Sequence, residues 1–179
     1  LAMEGADHDP LLLGDASLAV ERIRAAIAAR TPIAVHGDYD ADGVCATALL
    51  CEGLTALGAD ARPFIPSRFE EGYGLAVETV ERLHADGIGL VITVDCGVTA
   101  VAAAARAAEL GLDLVITDHH RHGDVLPDCP IVAPAVRGTY PFDGLCGAGT
   151  AYKLLEALCD GDPAILDGVV DLVAIATVA

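Results

Sequence analysis

Tryptophan is absent from this chain and aromatic residues make up only 4% of it, while hydrophobic residues reach 54%. A folded core must therefore be assembled from Ala, Val, Leu and Ile, which excludes both disordered and collagen-like classes. Basic residues are scarce: 10 Lys and Arg stand against 27 Asp and Glu, for a formal net charge of −17. That balance argues against a non-specific nucleic-acid coat, which needs a basic surface. It suits a domain that gathers carboxylates around cations, and equally an ordinary solvated acidic surface. None of the six cysteines, at positions 45, 51, 96, 129, 146 and 159, forms a CxxC pair. This excludes a zinc ribbon and a thioredoxin-like motif, and points to free thiols in a reducing, cytoplasmic compartment. There is no uninterrupted apolar run of the roughly 18 to 20 residues needed to span a membrane, and no signal peptide, internal repeat or low-complexity segment. The 179 residues suit one ordinary domain. The chain begins at Leu1 and runs out through an apolar stretch to Ala179 with no cap or turn. Both ends are therefore expected to be cuts in a longer protein.

What is present alternates. Ser17 to Arg30 has helical periodicity, with Leu18, Ile23, Ala26 and Ile27 on one face. Pro32 to Val35 is a short apolar run that predicts a strand, and a helix follows over Gly43 to Leu57. Arg62 to Ile65 predicts a strand, Pro66 to Gly74 a loop, and Leu75 to Ala85 a helix. Leu90 to Val94 is a strand, Val98 to Leu110 a helix, and Leu114 to Thr117 a strand; Ile131 to Ala133 adds another. Gly149 to Cys159 and Ala164 to Val178 are helical, the second opened by Pro163. Continuous Val/Ile strands alternating with long helices predict an α/β domain with a parallel, Rossmann-like sheet flanked by helices.

Three of these strands end in polar clusters: His36-Gly-Asp-Tyr-Asp-Ala-Asp-Gly43, Asp95-Cys-Gly97 and Asp118-His-His120. In open parallel sheets ligands bind beyond the carboxyl ends of the strands, so all three clusters are expected on one rim. Carboxylates crowded together repel each other unless a cation joins them. Oxygen donors mixed with imidazole suit Mn²⁺ or Mg²⁺, and a pair of such ions about 3.5–4 Å apart can polarise a phosphoryl group and activate water. Each cluster also has a plain structural reading. Asp42 before Gly43 could cap a helix, Asp38 could brace a turn, Asp95 could sit in an ordinary strand-to-helix turn, and His119 and His120 could face solvent. Three such clusters at successive strand ends make the joint structural reading the weaker one.

These segments, with Thr93-Val-Asp-Cys-Gly97 and Thr117-Asp-His-His120, resemble the first motifs of DHH-superfamily phosphoesterases. The octapeptide from His36, followed by Arg68-Phe-Glu-Glu-Gly-Tyr-Gly-Leu75, resembles the RecJ-type single-strand DNA exonucleases within it. Gly147-Ala-Gly-Thr-Ala-Tyr-Lys-Leu154 and the final Asp171 to Ala179 fit the same pattern, so the likeness runs from about Pro32 to the end. It implies a helical lead-in over 1–31 and a DHH catalytic domain over 32–179, truncated at its C-terminal end and lacking the domain that follows in the family.

The resemblance also implies roles. His36, Asp40 and Asp95 would hold one metal, and Asp42, the bridging Asp95 and His119 the other. His120 would face the scissile phosphate, with Asp118 orienting the histidines. A further metal-binding Asp follows the Thr-Val-Ala sequence in the family, beyond Ala179. Arg68 and Arg121 could hold phosphates or be surface arginines. The turn Gly147-Ala148-Gly149 could offer helix N–H groups to a DNA phosphate or merely open a helix. Tyr73 or Phe69 could stack on a base, although packing suits them better. The implied activity is 5′-to-3′ removal of nucleotides from single-stranded DNA in repair and recombination, with two Mn²⁺ or Mg²⁺ ions. Single-strand-binding protein and a helicase would be partners, and no membrane is involved. Other readings are a manganese pyrophosphatase, a short-oligonucleotide phosphatase, or a DHH-fold interaction module that does no chemistry. The last should have lost ligands that this chain retains.

Overall fold

The computed structural model describes residues 8–67, 74–137 and 139–179. Five strands form one sheet in the order β2-β1-β3-β4-β5, every neighbouring pair parallel. They are β1 (Ile33–His36), β2 (Ala61–Phe64), β3 (Leu90–Thr93), β4 (Asp113–Thr117) and β5 (Ile131–Val132). The helices are α1 (Ala16–Ala28), α2 (Ala41–Ala56), α3 (Val77–Ala85), α4 (Val101–Leu110), α5 (Gly147–Leu158), α6 (Pro163–Leu166) and α7 (Val170–Val178), preceded by a 3₁₀ turn at Pro10–Leu12.

Alternation along the strands divides the core in two. Ile33, Val35, Leu90, Ile92 and Val115 face α1, α2, α5 and α7. Ala34, Val91, Leu114 and Ile116 face α3 and α4. Because both faces are covered, the central strands can be apolar at every position, and β1 and β3 are buried throughout. Pro63 lies in β2, an edge strand, where a missing N–H costs no ladder bond on the open side.

Several elements depart from the sequence reading for local reasons. On α1 the buried face is Ala16, Ala19, Val20 and Ile23, whereas Leu18 is 56% exposed. The helical stretch expected from Val98 starts only at Val101, because Gly97 adopts φ +111 and the Val98 N–H donates to Asp118 Oδ2 at 2.9 Å. The final helix divides into α6 and α7 around Gly168, a poor helix former. The loop expected at Pro66 to Gly74 lies mostly outside the described residues. Among those described, no helix is long and apolar enough to cross a membrane.

Strand order reverses direction between β1 and β3: the chain leaves β1 for β2 on one side, then returns to place β3 on the other. Helices from the two sides diverge there, opening a crevice beyond the strand ends. The packing beneath it is tight. Leu50 on α2 is fully buried, so Leu50→Ala is expected to cost about 2–5 kcal/mol. Leu18→Ala should stay within about 0.5 kcal/mol. Urea denaturation of both variants checks the contrast, and equal losses would mean that α1 is placed wrongly.

Candidate metal centre

The crevice between β1 and β3 is where the polar clusters meet. His36 ends β1 and is fully buried. Its ring stacks on Phe64 at 5.3 Å, and its Nδ1 lies 3.6 Å from Cys96 Sγ. The chain then turns into α2. Asp40, not Asp42, is the N-cap: its Oδ1 accepts from the Gly43 N–H at 2.9 Å. Asp38 is buried and accepts the Tyr39 N–H at 2.7 Å, bracing the turn.

Asp42, in the first turn of α2, reaches across to α5. Its Oδ2 accepts the Gly147 N–H and its Oδ1 the Ala148 N–H, both at 2.7 Å. One carboxylate thus satisfies two of the free amides at the start of α5. Each oxygen keeps a further lone pair, so the carboxylate can still meet a cation. The amide of Gly149 is also engaged, by Cys146 Sγ at 3.3 Å. The phosphate role suggested for Gly147 and Gly149 thus has no free amide to rest on at these two residues: both already have protein acceptors.

Asp95 follows β3 with its backbone at φ +59 and is almost fully buried. A non-glycine residue in this left-handed region is uncommon and costs free energy, and such residues cluster at working sites. Gly147 makes room for it: a Cβ there would fall 2.5 Å from Asp95 Cβ and Oδ1. Gly147 therefore positions two carboxylates, accepting the approach of one and donating to the other. The sequence reading missed this role, because the signal is a contact between residues 52 positions apart.

His119 and His120 follow β4. His119 Nε2 lies 3.1 Å from Asp95 Oδ1 and 3.7 Å from Asp42 Oδ2. Asp118 is buried; its Oδ1 accepts from His120 Nδ1 at 2.8 Å and from the backbone N–H groups of both histidines. The carboxylate so orients His120 and leaves the ring's Nε2 to face outward chemistry. Two sets of donor atoms, each within 4.8 Å, result: Asp95 with His119 and His120, and Asp38 with Asp40 and Asp95. Asp95 belongs to both. Asp38 thus joins the cluster although the sequence reading gave it only a bracing role. His36 and Asp42 border these sets without completing either.

The electrostatics ask for a cation. Burial pushes the Asp95 carboxyl above the usual range, His119 pulls it back, and Asp42 and Asp40 push it up again. The buried Asp95 Oδ1 has His119 Nε2 at 3.1 Å but no well-aligned hydrogen bond among the described residues, and such an under-satisfied oxygen is one a metal would complete. The donors are carboxylate oxygen and imidazole nitrogen, which suit Mn²⁺ or Mg²⁺. A cavity of about 350 Å³ opens over Asp40, Asp42, Asp95, His119 and His120, with Ala176 and Ala179 of the α7 end on its wall. Arg121 stands on the other side of His120, and Arg68, Phe69 and Tyr73 lie outside the described residues.

Comparison with known proteins is consistent with this geometry. A family model described as DHH family, N-terminal domain, matches residues 32–177. The chain is 44% identical over 174 residues to the single-stranded-DNA-specific exonuclease RecJ of Bacillus subtilis, covering 96% of this chain and 22% of that protein. It is 46% identical over 149 residues to the corresponding RecJ of Thermus thermophilus, covering 82% of this chain and 22% of that one. A crystal structure of exonuclease RecJ bound to manganese superposes with a TM-score of 0.85 at 39% identity, over 97% of this chain and 45% of that one. This chain therefore spans about a fifth of the length of the two sequence relatives.

Two measurements follow. Gly147→Ala should lower Mn²⁺ affinity by about 10- to 100-fold in calorimetric titration, whereas Gly149→Ala, whose added Cβ would find its nearest neighbour at 3.4 Å, should not. The Asp95 carboxylate raises the His119 pKa above its ordinary value, against the effect of burial. His119 must lose that proton to bind a metal, so Mn²⁺ affinity should climb as pH rises past the ordinary histidine range, with a proton released on binding. Titration in two buffers of different ionisation enthalpy measures that proton, and zero release would remove His119 from the ligand set.

Proposed function

Because this chain belongs to the DHH family, we propose that it hydrolyses phosphodiester bonds with two divalent cations, removing nucleotides from single-stranded DNA in the 5′-to-3′ direction. The observation that carries this reading is the pair of donor sets sharing Asp95 at the β1/β3 crevice. The single-strand specificity in the names of its relatives supports the substrate class.

In this reading His36, Asp40 and Asp95 would hold one ion, with Asp38 alongside, and Asp42, Asp95 and His119 would hold the other. When bound, the pair supplies a hydroxide and Lewis-acid stabilisation of the phosphoryl oxygens. The protein's own groups do the rest. Asp118 fixes the His120 ring through Nδ1, which leaves Nε2 to meet a phosphoryl oxygen. Asp42 holds the start of α5 against the site, and the cavity walls limit how the strand can approach. Arg121, and Arg68 beyond the described residues, contribute positive charge for backbone phosphates in a domain that has little. A role in DNA repair and recombination, work alongside single-strand-binding protein and a helicase, and a cytoplasmic location complete the reading.

The test is incubation with a 5′-phosphorylated single-stranded oligonucleotide in Mn²⁺ or in EDTA, with duplex DNA, RNA and inorganic pyrophosphate in parallel. Mononucleotides should appear from the 5′ end of the single strand, and only with metal. Asp95→Ala should reduce the rate at least about 100-fold, since it strips one donor from both sets. Hydrolysis of pyrophosphate or of very short oligonucleotides in place of the long strand would move the protein to another branch of the superfamily. Metal binding with no hydrolysis would favour a non-catalytic module.

A further inference from the structure

The imidazole that ends β1 is fully buried, and its surroundings settle how it lies. Phe64, the partner of His36 in the β1–β2 register, stacks on the ring at 5.3 Å and 18°. At the ring's edge, Cys96 Sγ lies 3.6 Å from Nδ1 and 3.9 Å from the carbonyl oxygen of His36 itself. Cys96 is buried as well. We propose that Cys96 is a positioning residue for the metal centre: its sulfur accepts the Nδ1–H of His36, which fixes one tautomer and leaves Nε2 bare for the ion. The inference rests on the reading above, in which His36 holds one of the two ions.

The hydrogens can be counted. A neutral imidazole has one N–H and one bare nitrogen, and a thiol has a single, weakly donating S–H. The His36 carbonyl takes the Val94 N–H at 2.8 Å with one lone pair and has a second for the thiol. With the S–H directed there, the sulfur meets Nδ1 as an acceptor, and Nδ1 must be the N–H of the ring. Nε2 is then the bare nitrogen that an imidazole needs to bind a metal. Metal-binding histidines generally donate their other N–H to a fixed acceptor, which orients the ring. Asp118 does this for the His120 ring; Cys96 does it for His36. Phe64 cannot take that role alone. Stacking fixes the plane of the imidazole, and two orientations related by a half-turn about the Cβ–Cγ bond share that plane. Only one of them sets a nitrogen against the sulfur; the other sets a carbon there and carries Nε2 away. The phenyl ring therefore selects the plane, and the thiol selects the edge. Cys96 also follows Asp95 directly in the chain, and Asp95 belongs to both donor sets. The turn that presents the shared carboxylate thus brings the sulfur to His36 in the same step.

The experiment is long-range ¹H–¹⁵N NMR of the histidine rings in metal-free protein, at a pH where the imidazoles are neutral, with Mn²⁺ affinity measured by calorimetry. The wild type should show His36 protonated at Nδ1 and bare at Nε2. Cys96→Ala should populate the other tautomer and lower Mn²⁺ affinity at least about 10-fold. Cys96→Ser, which keeps one hydrogen and acceptor lone pairs, should keep the tautomer and most of the affinity. A wild-type ring protonated at Nε2 would overturn the proposal with no variant needed, so it stays exposed even if substitutions at this buried position do not fold. Unchanged affinity in Cys96→Ala, or a serine variant as weak as the alanine one, would also overturn it and leave the metal centre standing. The expected tautomer in a wild type that binds no Mn²⁺ would instead remove the metal centre itself.

Discussion

The carboxylate of Asp42 receives the first two amides of α5, and much of the molecule is arranged around that contact. It fastens the N-termini of α2 and α5 to each other above the crevice, where both helices present partial positive charge. Those termini offset some of the negative charge that five aspartates bring to one rim. They also bring Gly147 against Asp95, which the glycine alone permits. The helical layer on this face of the sheet and the geometry of the acidic cluster are therefore not separable problems. A change that loosens α5 also loosens Asp95.

A second constraint comes from the backbone. Asp95 and Gly97 both take positive φ within one short turn, which swings the Asp95 side chain into the crevice and sends Val98 back toward Asp118. The strain is held by buried bonds: Thr93 to the Cys96 carbonyl, Thr117 to the Thr93 carbonyl, and Val98 to Asp118. The first closes the turn after β3, and the other two tie the ends of β3 and β4 together. The sheet thereby acts as a rigid platform for side chains carried at or just beyond its strand ends.

Much of this was legible in the chain itself. Continuous apolar runs at β1, β3 and β4 and the helices between them announced a parallel sheet, and the acidic and histidine residues stood where strand ends were expected. Asp118 could be assigned to the histidines because the two side chains are adjacent in sequence. Other features depend on contacts across long separations and left no local trace. The bond from Asp42 to α5 is one. The late start of α4 is another, since the sequence from Val98 onward is as helical as any. The exposure of Leu18 came from the packing of α1, where small Ala16 and Ala19 allow close approach and the neighbouring leucine is turned outward. Asp38 was undervalued for the same reason: a turn-bracing aspartate and a cluster aspartate look identical until Asp40 and Asp95 are placed beside it.

Cys96 sits in the middle of this chemistry, 3.6 Å from the Nδ1 of His36 and with Asp95 as its neighbour in the chain. Burial, reinforced by Asp118, Asp95 and Asp38, holds its thiol well above the ordinary range. Both effects disfavour an anionic sulfur beside the acidic cluster. A thiolate there would draw zinc or copper in preference to harder ions. The crevice instead turns carboxylate oxygens and imidazole nitrogens toward its cavity, so the chemistry of its metal is set by side chains carried on turns rather than by the sulfur packed beneath them.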